Sequence, residues 1–98
     1  MDIIREDNNE KGAILAMDGE TEAGKMTYIW SGPGRIIIDH TEVYSAYSGK
    51  GLGQKMVAAA VAFARENDIK ILPLCPFARK VLESDPGIAD VLFVPGEK

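Results

Sequence analysis

The segment Ser48-Gly49-Lys50-Gly51-Leu52-Gly53-Gln54 sets three glycines at alternate positions directly ahead of an alanine-rich run of helix-forming residues, Lys55 to Asn67. Glycine turns the backbone without a side chain in the way, and the first turn of the helix behind it carries N–H groups that have no intrahelical acceptor. A turn of this kind holds an anion, phosphate above all. A few residues earlier, His40 and Glu42 alternate along an extended stretch, so both project from one face, where the pair could hold one proton acceptor near neutral pH. Either could instead hydrogen-bond a neighbouring strand. The single cysteine, Cys75, stands before Pro76 at a helix start, a setting that lowers a thiol pKa, although a lone cysteine is as readily an unreactive core residue.

Composition narrows what these groups can serve. A chain of 98 residues makes one domain, spanning 1–98, with a single core and no room for a separate lid or cofactor domain. It is 46% apolar and 27% charged, no apolar run approaches a membrane span, and Met1 to Asp7 lack the basic start and apolar block of a signal peptide, so a soluble cytoplasmic protein is expected. Fifteen acidic against eleven basic residues give a net charge of -4, which disfavours nucleic acid as a partner and favours a cationic one. One cysteine and one histidine leave no disulfide framework and no zinc site within one chain.

The elements that must position these groups follow from periodicity and turn signals. Residues 2 to 7 form a first short strand and Gly12 to Met17 a second, and Asp18-Gly19 signals a hairpin with positive φ at both turn positions. The return strand starts from Glu20, and in Lys25 to Trp30 alternation puts Met26, Tyr28 and Trp30 on one face and Thr27 and Ile29 on the other. Ser31-Gly32-Pro33-Gly34 makes the next reversal. Arg35 to Val43 is the longest strand, and its three consecutive isoleucines predict a central position covered on both faces, until polarity changes at Asp39-His40-Thr41-Glu42. A helix from Gly51 or Leu52 to Asn67 carries the stripe Leu52, Met56, Val57, Ala60, Val61, Ala64. Ile69 to Cys75 then returns as a strand parallel to Arg35–Val43, by a right-handed crossover, with Pro73 marking a side without a partner. Pro76 opens a second helix with Phe77, Val81 and Leu82 on its apolar face, and Ser84-Asp85-Pro86-Gly87 ends it. Ile88 to Val94 forms a last helical turn or a small strand, and Pro95 to Lys98 a tail.

Spacing separates the phosphate-binding loops. A P-loop needs a glycine where Tyr44 stands and a Ser or Thr where Gly51 stands; a dinucleotide fingerprint counted from Gly49 meets Gln54 in place of its third glycine. The pattern Gly51-Leu52-Gly53 fits the pyrophosphate loop of the GNAT superfamily of acetyl-CoA-dependent N-acetyltransferases. Nearly end to end the chain resembles the small single-domain branch of that superfamily known as YjdJ-type. The resemblance rests on His40-Thr41-Glu42-Val43, Gly49-Lys50-Gly51-Leu52-Gly53 and Pro73-Leu74-Cys75-Pro76-Phe77, in that order and at the family's separations.

The resemblance implies a minimal GNAT-like α/β (α+β) fold: a mixed sheet with an antiparallel N-terminal meander, a β-α-β unit that binds coenzyme A, and a short C-terminal helix. It implies that Ser48, Gly49, Lys50, Gly51, Leu52, Gly53 and Gln54 hold the coenzyme A pyrophosphate through backbone amides, and that pantetheine bonds to backbone at Thr41 and Val43 in a gap between two parallel strands. The implied activity is transfer of acetyl from acetyl-CoA to an amine, either a protein or peptide lysine or a small amine, with Cys75, His40 and Glu42 as catalytic candidates. Two departures stand out. The Arg or Gln that leads the family's loop is Ser48 here, and the tyrosine that larger members place on the following helix is missing from residues 76–84. They motivate a competing reading, a non-catalytic acyl-CoA binding or sensing module.

Overall fold

A computed structural model describes residues 2–93 of the chain. Five strands lie in one sheet in their chain order: β1 (Asp2–Asp7), β2 (Lys11–Asp18), β3 (Thr21–Trp30), β4 (Arg35–Val43) and β5 (Lys70–Pro73). The first four make an antiparallel meander, and β5 pairs parallel to β4 after a crossover through helix α1 (Leu52–Glu66). Helix α2 (Pro76–Ser84) follows β5. Of the two alternatives expected for Ile88 to Val94, the described residues show the helical turn, a 3-10 turn at Ala89–Val91, and no strand: Leu92 makes an isolated parallel bridge with Ile71. Val94 and the tail Pro95 to Lys98 lie outside the described residues. The α/β (α+β) architecture expected from the sequence is the one observed.

All six residues of the expected α1 stripe are buried. They pack with Ile14, Met26, Tyr28, Ile36, Ile38 and Ile71 of the sheet into one core. Each large side chain removed from water there stabilises the fold by about 1.5–3 kcal/mol. Two expectations need correction. The sheet centre is β3, not β4, which lies next to the edge strand. Nor is β4 covered on both faces: among the described residues both helices pack on the same face, and Ile37 and Ile29 point to the other, where Ile29 is 44% exposed. The connections joining β1, β2 and β3 are too short to contain a helix, so none of them covers that face. An isoleucine run reads the same whether its middle member lies beneath a helix or between neighbouring strands. The β2–β3 turn is also displaced by one residue: Asp18 pairs with Thr21, and Gly19 at φ +62° takes the first central position.

The sheet end nearest the C-terminus of α1 is held by a polar cluster that is partly buried around the Tyr28 hydroxyl. Asp7 Oδ2 accepts hydrogen bonds from Tyr28 OH (2.5 Å), Trp30 Nε1 (2.8 Å) and Arg5 (3.2 Å), and Oδ1 accepts from the Asn9 N–H (2.6 Å). The Arg5 guanidinium in turn lies 3.9 Å from the centre of the Phe63 ring on α1. Burial pushes the Tyr28 hydroxyl pKa up to about 12, and its bond to Asp7 adds to the shift. Burial would also raise the Asp7 carboxyl, but the hydrogen bonds from Tyr28, Asn9 and Trp30 and the charge of Arg5 outweigh it and hold the carboxyl below its ordinary value. A depressed carboxyl pKa stabilises the fold above the ordinary carboxylate range, and that contribution disappears as pH falls through the folded value. Asp7→Ala should therefore cost about 1–2 kcal/mol in urea denaturation at pH 7, solvent screening at this partly exposed carboxylate included, and clearly less at pH 3. An equal cost at both pH values would contradict this account.

Candidate active site

The two halves of β4 differ because the strand is bulged. Thr27 of β3 pairs with His40 and Tyr28 with Ile38, so Asp39 is an extra residue with no partner of its own. The bulge reverses the side-chain parity. Ahead of it Ile36 and Ile38 face the helices; beyond it Thr41 and Val43 do, and His40 and Glu42 turn to the open face. Unbulged alternation would have pointed His40 and Glu42 into the core beneath α1. Asp39 itself accepts a hydrogen bond from Thr27 Oγ1 at 2.6 Å, which places its carboxylate on the open face beside His40.

β5 leaves β4 at the same point. Their pairing runs from Arg35 with Lys70 to Ile38 with Pro73. The N–H groups of Leu74 and Cys75 then both donate to Ile38 O, at 2.9 and 3.1 Å, as the chain turns into α2. The β5 strand is shorter than the expected Ile69–Cys75 for this reason, and Cys75 becomes the N-cap of α2. From Asp39 to Val43, the β4 edge on this side has no strand beside it among the described residues.

The glycine segment lies at the end of that free edge. After β4 the chain makes a 3-10 turn, Ser45–Tyr47, and reaches Gly49 and Gly51 with φ of +79° and +72°, a left-handed conformation that favours glycine. Gly51 is the N-cap of α1 and supplies no side chain, no acidic residue occupies the first turn, and Lys55 is the first residue to donate within the helix, to Gly51 O at 3.1 Å. The N–H groups of Leu52, Gly53 and Gln54 therefore lack helical acceptors, which makes an anion cradle at the positive end of the helix. Lys50 is exposed beside it. The Ser48 hydroxyl donates to Ser45 O at 3.0 Å, so it serves the 3-10 turn and not the mouth of the loop.

Gly53 has a separate role. A Cβ there would lie 2.5 Å from the Phe77 ring, so the absence of a side chain lets Phe77 lie across the start of α1. Phe77 was expected on the buried face of α2, but the buried residues are Ala78 and Leu82, and Phe77 is 40% exposed at the entrance to the gap. Nothing in the helical periodicity distinguishes the two places.

Cys75 and the His40–Glu42 pair flank the free edge from opposite faces. Cys75 is 6% exposed, on the helix side with Thr41, whose Oγ1 is buried and has no nitrogen or oxygen partner among the described residues. Burial pushes the Cys75 thiol pKa up, but the Thr41 hydroxyl and the N–H groups of Ala78, Phe77 and Thr41 around the sulfur outweigh it and hold the thiol below its ordinary value. His40 Nε2 lies 3.8 Å from Glu42 Oε1, and both side chains are more than half exposed. Val43 is half-buried against the core. The candidates thus form two groups, Cys75 with Thr41 and His40 with Glu42. Asp39 was missed, though a carboxylate directly after three isoleucines was its visible signal. A groove of about 660 Å³ on the open face runs from Lys11 and Lys25 past Thr27 to Asp39.

The residues present can hold an anion on the loop amides, pair an extended ligand with the β4 edge, and offer a proton acceptor on one face and an acidic thiol on the other. The rate of Cys75 alkylation by iodoacetamide should titrate with a midpoint below that of a free cysteine, and Thr41→Val should move the midpoint up. A midpoint at or above the free value would exclude the polar surroundings described for the sulfur.

The family model described as GCN5-related N-acetyl-transferase matches residues 13–91. The solution structure of a GCN5-like candidate N-acetyltransferase from Staphylococcus aureus superposes with a TM-score of 0.73 at 33% identity, covering 94% of this chain and 87% of that one. Protein NATD1 of Homo sapiens is 25% identical over 83 residues, 85% of this chain and 74% of the relative. AAC(6')-Iy, in complex with a bisubstrate analog of coenzyme A and acetylneamine, shares the fold with a TM-score of 0.57 at 9% identity, over 93% of this chain and 70% of that one.

Proposed function

The chain belongs to the GCN5-related N-acetyl-transferase family; from that premise we propose that it is an N-acetyltransferase, that Ser48 to Gln54 is its acetyl-CoA site and that the acceptor amine reaches the thioester from the open face of the sheet. The observation that carries this reading is the parting of β5 from β4 after Ile38, beside the uncapped start of α1. The amides of Gly49 to Gln54 receive the pyrophosphate, with Ser48 shaping the turn and Lys50 adding a nearby positive charge. The backbone of Thr41 and Val43 pairs with the pantetheine amides along the free edge. A backbone N–H at this edge polarises the thioester carbonyl and stabilises the oxyanion formed on attack.

His40, with Glu42 beside it, takes the proton from the attacking amine as the C–N bond forms. When the C–S bond breaks, the Cys75 thiol gives its proton to the departing thiolate, a direction favoured by its lowered pKa. Cys75 then regains a proton from solvent. The net charge of -4 suits a cationic acceptor such as an exposed lysine of a protein or peptide, or a small polyamine. Within the family we place the chain in the YjdJ-type branch, on the strength of the three motifs at residues 40–43, 49–53 and 73–77. The cytoplasm is the compartment this reading calls for; no helix among the described residues is long and apolar enough to cross a membrane.

A second reading, an acyl-CoA binding or sensing module, is favoured by Ser48, whose hydroxyl is committed to Ser45 O, and by the lack of a tyrosine on α2. Release of free coenzyme A from acetyl-CoA, measured against a panel of lysine peptides and small amines, decides between them. The transferase reading predicts turnover in the wild type and a loss of roughly 10²-fold in kcat for His40→Ala at neutral pH. Binding without turnover across the panel would favour the sensor, and equal rates for Cys75→Ala and wild type would remove Cys75 from the mechanism.

A further inference from the structure

We infer that Tyr44 and Tyr47 are positioning residues for the coenzyme: their hydroxyls fasten the segment that enters the glycine loop to the β2–β3 hairpin, and this fastening sets how well the loop amides are aimed. The inference rests on the acetyl-CoA reading of Ser48 to Gln54. Tyr44 OH donates to Glu22 Oε2, and Tyr47 OH donates to Asp18 Oδ2 at 3.0 Å. Both acceptors belong to the strands on either side of the hairpin turn.

The backbone supports the same attachment. Gly24 pairs with Ala16 and Glu22 with Met17, so Ala23 is an extra residue in β3, and its carbonyl accepts the Tyr44 N–H at 3.0 Å. Tyr47 N–H returns to Tyr44 O at 2.8 Å, and Ser48 bonds through both its N–H and its hydroxyl to Ser45 O. Tyr47 also packs against the core. The next three residues, Gly49, Lys50 and Gly51, are exposed, and a Cβ at Gly49 would meet nothing within 4 Å. The loop is therefore not held along its length. Its aim depends on two ends, the buried first turn of α1 and the tyrosine attachment.

The hairpin also brings negative charge toward a site meant for an anion. Asp18 and Glu22 each turn an oxygen to a tyrosine hydroxyl, which engages the carboxylate with a donor. The hydrogen bonds to Glu22 and Asp18 raise both tyrosine pKa values above their ordinary value, so the phenols remain donors through the physiological range.

A role confined to aiming the pyrophosphate amides separates from a general structural one by the choice of donor. In calorimetric titration with coenzyme A, Tyr47→Phe and Tyr44→Phe should each weaken Kd by about 5- to 10-fold. In turnover, KM for acetyl-CoA should rise by a similar factor with kcat little changed, whereas KM for S-acetylpantetheine, which lacks the pyrophosphate, should stay at the wild-type value. Asp18→Asn, which keeps an acceptor oxygen, should lose less affinity than Asp18→Ala. Wild-type Kd in both tyrosine variants, or equal losses with the two donors, would overturn the inference while leaving the acetyl-CoA reading in place. Failure of the wild type to bind coenzyme A would overturn the reading and the inference together.

Discussion

The departure of β5 from β4 at Ile38 is the constraint from which the rest of the site follows. Two N–H groups, those of Leu74 and Cys75, converge on the one Ile38 carbonyl. A parallel pair that continued would bond β5 to alternate β4 residues and leave no room for a ligand. Here the ladder ends, the chain enters α2, and the remaining half of β4 has backbone donors and acceptors facing a gap. The bulge at Asp39 occurs at the same place and exchanges the faces, so the strand that buries Ile36 and Ile38 can next expose His40 and Glu42 without burying an unpaired charge.

The glycine loop takes its position from both sides of this feature. On one side, the α1 stripe from Leu52 to Ala64 is buried along its length, which fixes the helix axis against the sheet and points its uncapped end at the free edge. On the other, the tyrosines bond to the hairpin. Gly53 adds a third relation, since only a residue without Cβ allows Phe77 to cross the helix start. The polar cluster around Asp7 stands at the far end of the same sheet and ties Arg5, Tyr28, Trp30 and Phe63 together, giving the small core a fixed corner.

Much of this was legible in the sequence because it is local. The α1 stripe follows from one helical period, the turns from Gly19 and from Gly32 to Gly34, and the exposed glycine loop from its spacing ahead of a helix. The features that were not legible are relations between distant residues. No residue type announces a bulge, so Ile36 to Ile38 read as a segment covered on both faces, and the polarity change from Asp39 to Glu42 had no visible structural cause. The Tyr47–Asp18 bond joins residues 29 apart, and the Asp7–Tyr28 bond residues 21 apart. The pairing of His40 with Glu42 followed from alternation, but their separation from Cys75 by the thickness of the sheet depended on the bulge.

The central claim is that the loop amides and the free edge of β4 form one continuous ligand site. Titration of the ¹⁵N-labelled protein with coenzyme A, followed by amide chemical shifts, tests it most directly. The account predicts that the amides of Gly49 to Gln54 and of Thr41 to Val43 move together with a single binding curve, while those around Asp7 and Tyr28 stay in place. Shifts confined to another surface, or saturation with the Gly49 to Gln54 amides unmoved, would contradict it.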